Sequence, residues 1–154
     1  MMTSPGALWS GRSGRGNQFW NFLWESGLTP VRLQPEEDSR VLDWGLGLTD
    51  IVKRWSASAS SLRARDYRRG VPLLLAKLQQ AAPRAIAFNG KLAYEKFSGR
   101  RCSLGPQKET LAGARVFVLP CTSGRNGSMT RDQKFGYFRQ LAGWLKLPSS
   151  AEEG

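Results

Sequence analysis

Two segments constrain the fold of this chain more than any others. Residues 84–97 read RAIAFNGKLAYEKF and residues 114–126 read ARVFVLPCTSGRN. Each is a short apolar run that reads as a buried strand, ends in a polar, Gly-containing turn and leads toward a helical pattern. Strands that alternate with helices predict the α/β class: a single domain with a central, mostly parallel sheet flanked by helices. In such folds ligands bind at the C-terminal ends of the strands, where these two turns lie.

Composition narrows the chemistry. The 154 residues suit one domain with a real core. Lys and Arg number 23 against 12 Asp and Glu, a net charge of +11. That excess favours a polyanionic partner, most often nucleic acid, over a merely soluble cationic surface. The sequence has no histidine. Ser-His-Asp and Cys-His nucleophilic sites, His-ligated zinc and His general bases are therefore excluded. Cys102 and Cys121 lack the spacing of a zinc site, and a reducing cytoplasm is the default location. Cys121 lies in the second turn, but no base is placed to activate it. No apolar run approaches a membrane span, and the opening MMTSPGALWSGRSGRG has no apolar core of a signal peptide.

The organisation follows from pattern and punctuation. Residues 1–16 are Gly-, Ser- and Arg-rich and read as an irregular, flexible segment, 17–147 as the folded domain and 148–154 as a disordered tail. Phe19, Trp20, Phe22 and Leu23 give a helical face that stops at Gly27, and 36–44 reads as a short helix ending near Gly45. Residues 48–55 read as a turn leading into a short strand-like or helical piece, and 56–61 as a polar loop. A helix follows with Leu74, Leu78 and Ala81 inward; Pro72 fits its first turn, whereas Asp66 as its cap would demand a kink. Strands are expected at 84–88 and 115–119, helices at 91–97 and 131–147, and loops at 98–113 and 120–128. Phe135, Phe138, Leu141 and Leu145 share one face of the last helix. Trp20, Phe22, Trp24 and Trp44 are core candidates.

Four features could carry chemistry. Asn89-Gly90 tolerates positive φ and turns sharply after a strand. The helix N-terminus that follows, with Lys91, would hold a phosphate or a developing base anion; an ordinary strand–helix turn with a solvated lysine is the alternative. The loop Cys121-Thr122-Ser123-Gly124-Arg125-Asn126-Gly127 can approach a nucleic acid backbone or be a plain surface loop. Arg63, Arg65, Arg68 and Arg69 form the densest basic cluster, suited to phosphate or to a solvated helix face. Asp50, among many cations, can stay ionised and orient water, or can cap the next segment.

Taken in order, these residues resemble the mismatch-specific uracil/thymine DNA glycosylase family, from about Asn17 to Leu145. NQFW at 17–20 resembles the family's Asn-Arg-Phe-Trp helix start. EEDSRVLDWGLGLTDIVKR at 36–54 resembles its acidic helix followed by Gly-(Val/Ile)-Thr and Leu-Val. FNGKLAYEKF at 88–97 is similar to its strand-end Asn-Gly-Lys segment, and VLPCTSGRN at 118–126 to its Val-Leu-Pro-x-x-Ser-Gly loop.

The resemblance implies a monomeric, cytoplasmic enzyme that needs no cofactor or metal. It would flip uracil or thymine from G·U or G·T mismatches in double-stranded DNA and hydrolyse the N-glycosidic bond. It implies a base pocket at Asn89, Gly90 and Trp9, with Trp9 substituting for the stacking aromatic. Lys91, Ser123, Gly124, Arg125, Asn126 and Asn17 would contact DNA, Arg125 as the wedge that fills the gap. No lysine is clearly placed as a Schiff-base nucleophile, so the enzyme is expected to be monofunctional.

The family's first strand ends in Gly-Ile-Asn-Pro-Gly, whose asparagine positions the attacking water. Here that strand is expected to be missing or degenerate: Met2-Thr3-Ser4-Pro5-Gly6 puts Ser4 in the asparagine position. Ser4 and Asp50 are then the candidates for the water. A non-catalytic mismatch-binding module and a basic RNA-associated protein are the rival readings.

Overall fold

The computed structural model describes residues 2–3, 18–47, 49–50, 64–122 and 129–146. Five strands are formed by β1 (Met2–Thr3), β2 (Thr49–Asp50), β3 (Ala85–Asn89), β4 (Gly105–Leu111) and β5 (Ala114–Leu119). The helices are α1 (Phe19–Glu25), α2 (Ala64–Ala81), α3 (Lys91–Ser98) and α4 (Arg131–Leu145), with a 3-10 helix at Pro35–Trp44. One mixed sheet results, in the order β2-β1-β3-β5-β4. Its longer strands are β3, β5 and β4: β3 and β5 are parallel, whereas β4 returns antiparallel to β5. The two-residue strands β1 and β2 extend the parallel side.

Strand alternation divides the core into two halves. Ile86 and Phe88 of β3, with Val116 and Val118 of β5, face Leu74 and Leu78 of α2 and Ala93 and Tyr94 of α3. Ala87, Phe117 and Leu119 face the other way, onto Phe19, Phe22 and Leu23 of α1 and Phe138 and Leu141 of α4. Aromatic contacts tie the second half together: Phe22 lies 5.1 Å from Phe138 between ring centroids, and Phe19 meets Trp20 edge-on at 5.3 Å. These strands are buried on both faces, which explains their continuous apolar reading.

Helix boundaries have local causes. The 3-10 helix opens with Pro35 and a reciprocal Gln34–Glu37 cap and ends at Gly45, whose φ of 75° suits glycine. α4 begins at Thr130, whose hydroxyl accepts the Gln133 N–H at 3.1 Å while Gln133 Oε1 accepts the Thr130 N–H at 2.8 Å. Arg131 also bonds Glu25 at 2.7 Å, linking α4 to the end of α1.

Several sequence expectations need correction. Of the two alternatives for the first strand, missing or degenerate, the second holds: β1 is present but only two residues long, between β2 and β3. The stretch 98–113 is not all loop, since it contains β4. Ala112 and Gly113, both at positive φ, make the tight turn that returns the chain into β5. Asp50 lies in a strand rather than a turn. Pro72 sits inside α2, not in its first turn, so the helix starts well before it and Asp66 is a helical residue rather than a cap. The missing N–H of Pro72 leaves the Arg68 carbonyl without its usual intrahelical donor. Ala81 is exposed, as is Trp24, so neither belongs to the core. The expectations for 1–16 (apart from β1), for the polar loop 56–61 and for the tail 148–154 lie outside the described residues.

Candidate active site

The parallel strands end level with one another. Thr3 of β1 is in register with Asp50 of β2 on one side and Asn89 of β3 on the other, and Asn89 is in register with Leu119 of β5. Two segments kept far apart by the sequence, Asp50 and the Asn89 turn, are thus one strand apart at the C-terminal edge. In a sheet of this kind that edge is where ligands are held.

Asn89 is the buried polar centre of this edge. It is 0% exposed, and by alternation it shares the sheet face of Ala87, which α1 and α4 cover. Its Nδ2 donates to Thr122 Oγ1 at 3.1 Å. Its Oδ1 is buried with no partner among the described residues. A buried amide oxygen left unpaired costs about 1–3 kcal/mol, and one at a strand end invites a ligand donor. Trp20 Nε1 and Arg115 Nε share the condition among the described residues. Arg115, however, begins β5 at the opposite edge and lies 4.3 Å over the Trp144 ring. Of these three among the described residues, Asn89 is the one that ends a parallel strand at the ligand-binding edge.

The turn after Asn89 is built for close approach. Gly90 has φ 115° and ψ 136°, a conformation that side chains resist. Its N–H donates to the Leu119 carbonyl at 2.9 Å, drawing the turn onto the end of β5. A Cβ at Gly90 would lie 3.5 Å from Cys121 Cβ, so the two turns are in contact. α3 then starts without a side-chain cap and without an acidic residue in its first turn. Its leading N–H groups and the exposed Lys91 give a positive end.

The second turn is anchored on the other side. Thr122 is 1% exposed, and its carbonyl accepts the Gln18 N–H at 3.3 Å, one residue before α1. Thr122 and Gln18 therefore join the site; the sequence offers Thr122 only as one member of the 121–127 loop and Gln18 only as part of NQFW, neither as a site residue in its own right. The available signal was the polar residue ending an apolar strand, but its partner Asn89 is 33 positions away and is brought to it only by the sheet.

The structure thus brings together Asp50, Asn89, Gly90 and Lys91 from the expected set, with Asp50 placed by its backbone. Ser4, Trp9, Asn17, Ser123, Gly124, Arg125 and Asn126 lie outside the described residues, as does Arg63 of the basic cluster. Arg68 and Arg69 are exposed on α2. No described helix is long and apolar enough to cross a membrane. Compared with known protein families, the chain matches the model of the uracil DNA glycosylase superfamily over residues 4–146.

Proposed function

The chain belongs to the uracil DNA glycosylase superfamily, and on that premise we propose that it is a monofunctional DNA glycosylase acting on uracil, and by extension thymine, opposite guanine in duplex DNA. Membership supports glycosylase activity on uracil. The observation that carries the reading further is the buried Asn89, with an unpaired Oδ1, in line with Asp50 across one intervening strand.

The target base must leave the stack to be reached, and a mismatched base is the least costly to extrude. Asn89 and Gly90 would line its pocket, with Trp9 stacking on the ring. Lys91 would hold a backbone phosphate beside the uncapped start of α3. Ser123, Gly124, Arg125, Asn126 and Asn17 would make the remaining DNA contacts, Arg125 filling the vacated stack. As the C1′–N1 bond breaks, its electron pair leaves with the base as an anion, and backbone N–H dipoles are suited to hold that charge. Water adds to C1′ of the cationic sugar and loses its proton to a base. Asp50 is the preferred residue for orienting that water and taking the proton; Ser4 is the alternative for orienting it only, the proton then passing to bulk water.

The test is alkali-labile product from a duplex with one G·U mismatch, beside A·U and single-stranded uracil controls. Product that prefers G·U supports the reading. Asp50→Ala should slow the single-turnover rate by about 100-fold or more; full activity in that variant removes Asp50 from the mechanism. A second reading, a non-catalytic mismatch-binding module, is favoured by Ser4 standing where the family pattern has asparagine. It predicts tight, salt-sensitive mismatch binding with no abasic product.

A further inference from the structure

We propose that the cleft between α2 and the end of α3 is a docking site for an acidic peptide segment of a partner protein, which seats one apolar side chain on the cleft floor between flanking carboxylates.

The cleft has a volume of about 470 Å³. Val71 and Pro72 of α2 and Phe97 of α3 give it an apolar floor. Phe97 is braced from below by Phe88 of β3, at 5.5 Å between ring centroids. Arg68 and Lys96 supply one cation from each helix. Both are exposed, and neither has a carboxylate partner among the described residues. Glu95, the one acid of α3, turns its carboxylate to the Cys102 N–H at 3.1 Å instead. The cleft therefore attracts negative charge and offers a place for an apolar side chain.

Its uncharged polar groups are acceptors. Pro72 has no N–H, so the Arg68 carbonyl lacks its usual intrahelical donor. At the end of α3, Gly99 closes back on the Glu95 carbonyl, and the carbonyls that follow lie beyond the helix's own bonding. Ser98 gives its hydroxyl proton to the Arg100 carbonyl at 3.4 Å. The lining thus combines free carbonyls with two cations. An extended peptide complements both: its backbone N–H groups suit the carbonyls, and its carboxylates suit Arg68 and Lys96. A nucleic acid strand would bring phosphates to the cations, but its sugar–phosphate backbone carries no N–H for the carbonyls. Exposed ion pairs contribute little by themselves, so the seated apolar side chain is the anchor.

The cleft is separate from the strand-end edge. α3 starts beside Asn89 and reaches the cleft after its 8 residues, a length of about 12 Å. A partner held here would leave the Asn89 turn open.

The test uses the full chain and a fluorescein-labelled synthetic peptide of Glu, Asp, Ser and Gly with one central Phe. The comparison ligands are the same peptide with Ala for Phe, its all-Lys counterpart and an oligo-dT strand. Wild type should bind the Phe peptide, less tightly as salt rises, and should bind the Ala and Lys versions at least roughly tenfold more weakly. Arg68→Glu with Lys96→Glu should lose roughly tenfold in affinity. Lys77→Glu with Arg139→Glu, the same charge change at two other exposed cations, should stay within about twofold of wild type. Thermal unfolding confirms that both double variants fold. Backbone 15N–1H signals of Val71, Phe97 and Gly99 should move on binding, and those of Asn89 and Lys91 should not. Absence of binding, equal binding of the Phe and Ala peptides, or an equal loss in the two double variants overturns the proposal. Displacement of the peptide by oligo-dT, with shifts of the same cleft signals, also overturns it and makes the cleft a nucleic acid contact. Uracil release is not a readout, so failure here leaves the glycosylase reading standing.

Discussion

Two helix starts in this molecule solve the same problem in opposite ways. α4 begins with a complete cap: Thr130 and Gln133 satisfy each other's backbone N–H groups, and Asp132 places a negative charge in the first turn. α3 has no side-chain cap, a glycine at φ 115° before it, and a lysine as its first residue. The dipole that α4 neutralises is left open and reinforced at α3. Both helices pack on the same sheet, so packing alone does not explain the difference. A helix start that stays positive and has no side-chain cap is suited to an incoming anion, and of these two α3 is the one at the strand-end edge beside Asn89.

Substitutions at the two starts sharpen that contrast. The largest effect is expected at Gly90. Gly90→Ala forces a Cβ into a backbone region that side chains avoid, and should cost about 1–3 kcal/mol of stability. Urea unfolding measures the cost, and uracil release should fall with it because the Asn89 turn must shift. Next comes Lys91→Gln, which should weaken duplex binding by roughly tenfold and lower the slope of log affinity against log salt by about one. Stability should barely change. Equal binding across a salt titration would return Lys91 to the status of a solvated surface residue.

Thr130→Ala is the mirror experiment. It removes the cap of α4 and should cost about 1 kcal/mol of stability while leaving uracil release unchanged. A loss of activity there would break the division between a structural and a functional helix start.

The smallest effect is expected at Tyr94, four positions into α3. Burial, helped by Glu109 and Cys102 and opposed by Arg100, raises its phenol above the ordinary value. The folded state therefore favours the neutral ring. Its contribution is fully present below the unfolded-state value, near 10, and is lost as pH rises through the higher folded value. Tyr94→Phe should match wild type near neutral pH and unfold less readily in the alkaline limb. Identical alkaline midpoints would show that the ring is not held neutral.

What could be read from sequence tracks how local each cause is. β3 and β5 were legible because burial on both faces makes them continuous apolar runs, and Asn89-Gly90 announced its turn by residue type. β4 was not, because GPQKETL is a mostly exposed edge strand with a proline near its start, and polar edge strands look like loops. Its one local mark was Ala112-Gly113, a turn that alanine does not advertise. α2 reads shorter than it is because Pro72 looks like a boundary, whereas Leu74 and Leu78 pack well enough on the sheet to hold a proline within the helix. β1 leaves no mark in the sequence because two residues carry no periodicity; the neighbouring strands recruit them. At the site, Asn89, Gly90 and Lys91 were legible from one contiguous segment. Thr122 was not, because what distinguishes it is a hydrogen bond that exists only after β3 and β5 have paired.

The bond between the Gln18 N–H and the Thr122 carbonyl has a consequence for how this protein can be changed. The stretch ending before Gln18 and the stretch beginning after Thr122 are rooted at a single point on the scaffold. Removing the Gln18 N–H, as in Gln18→Pro, should therefore disturb the start of α1 and the Thr122 end of the site together, although the two lie 104 positions apart in the chain.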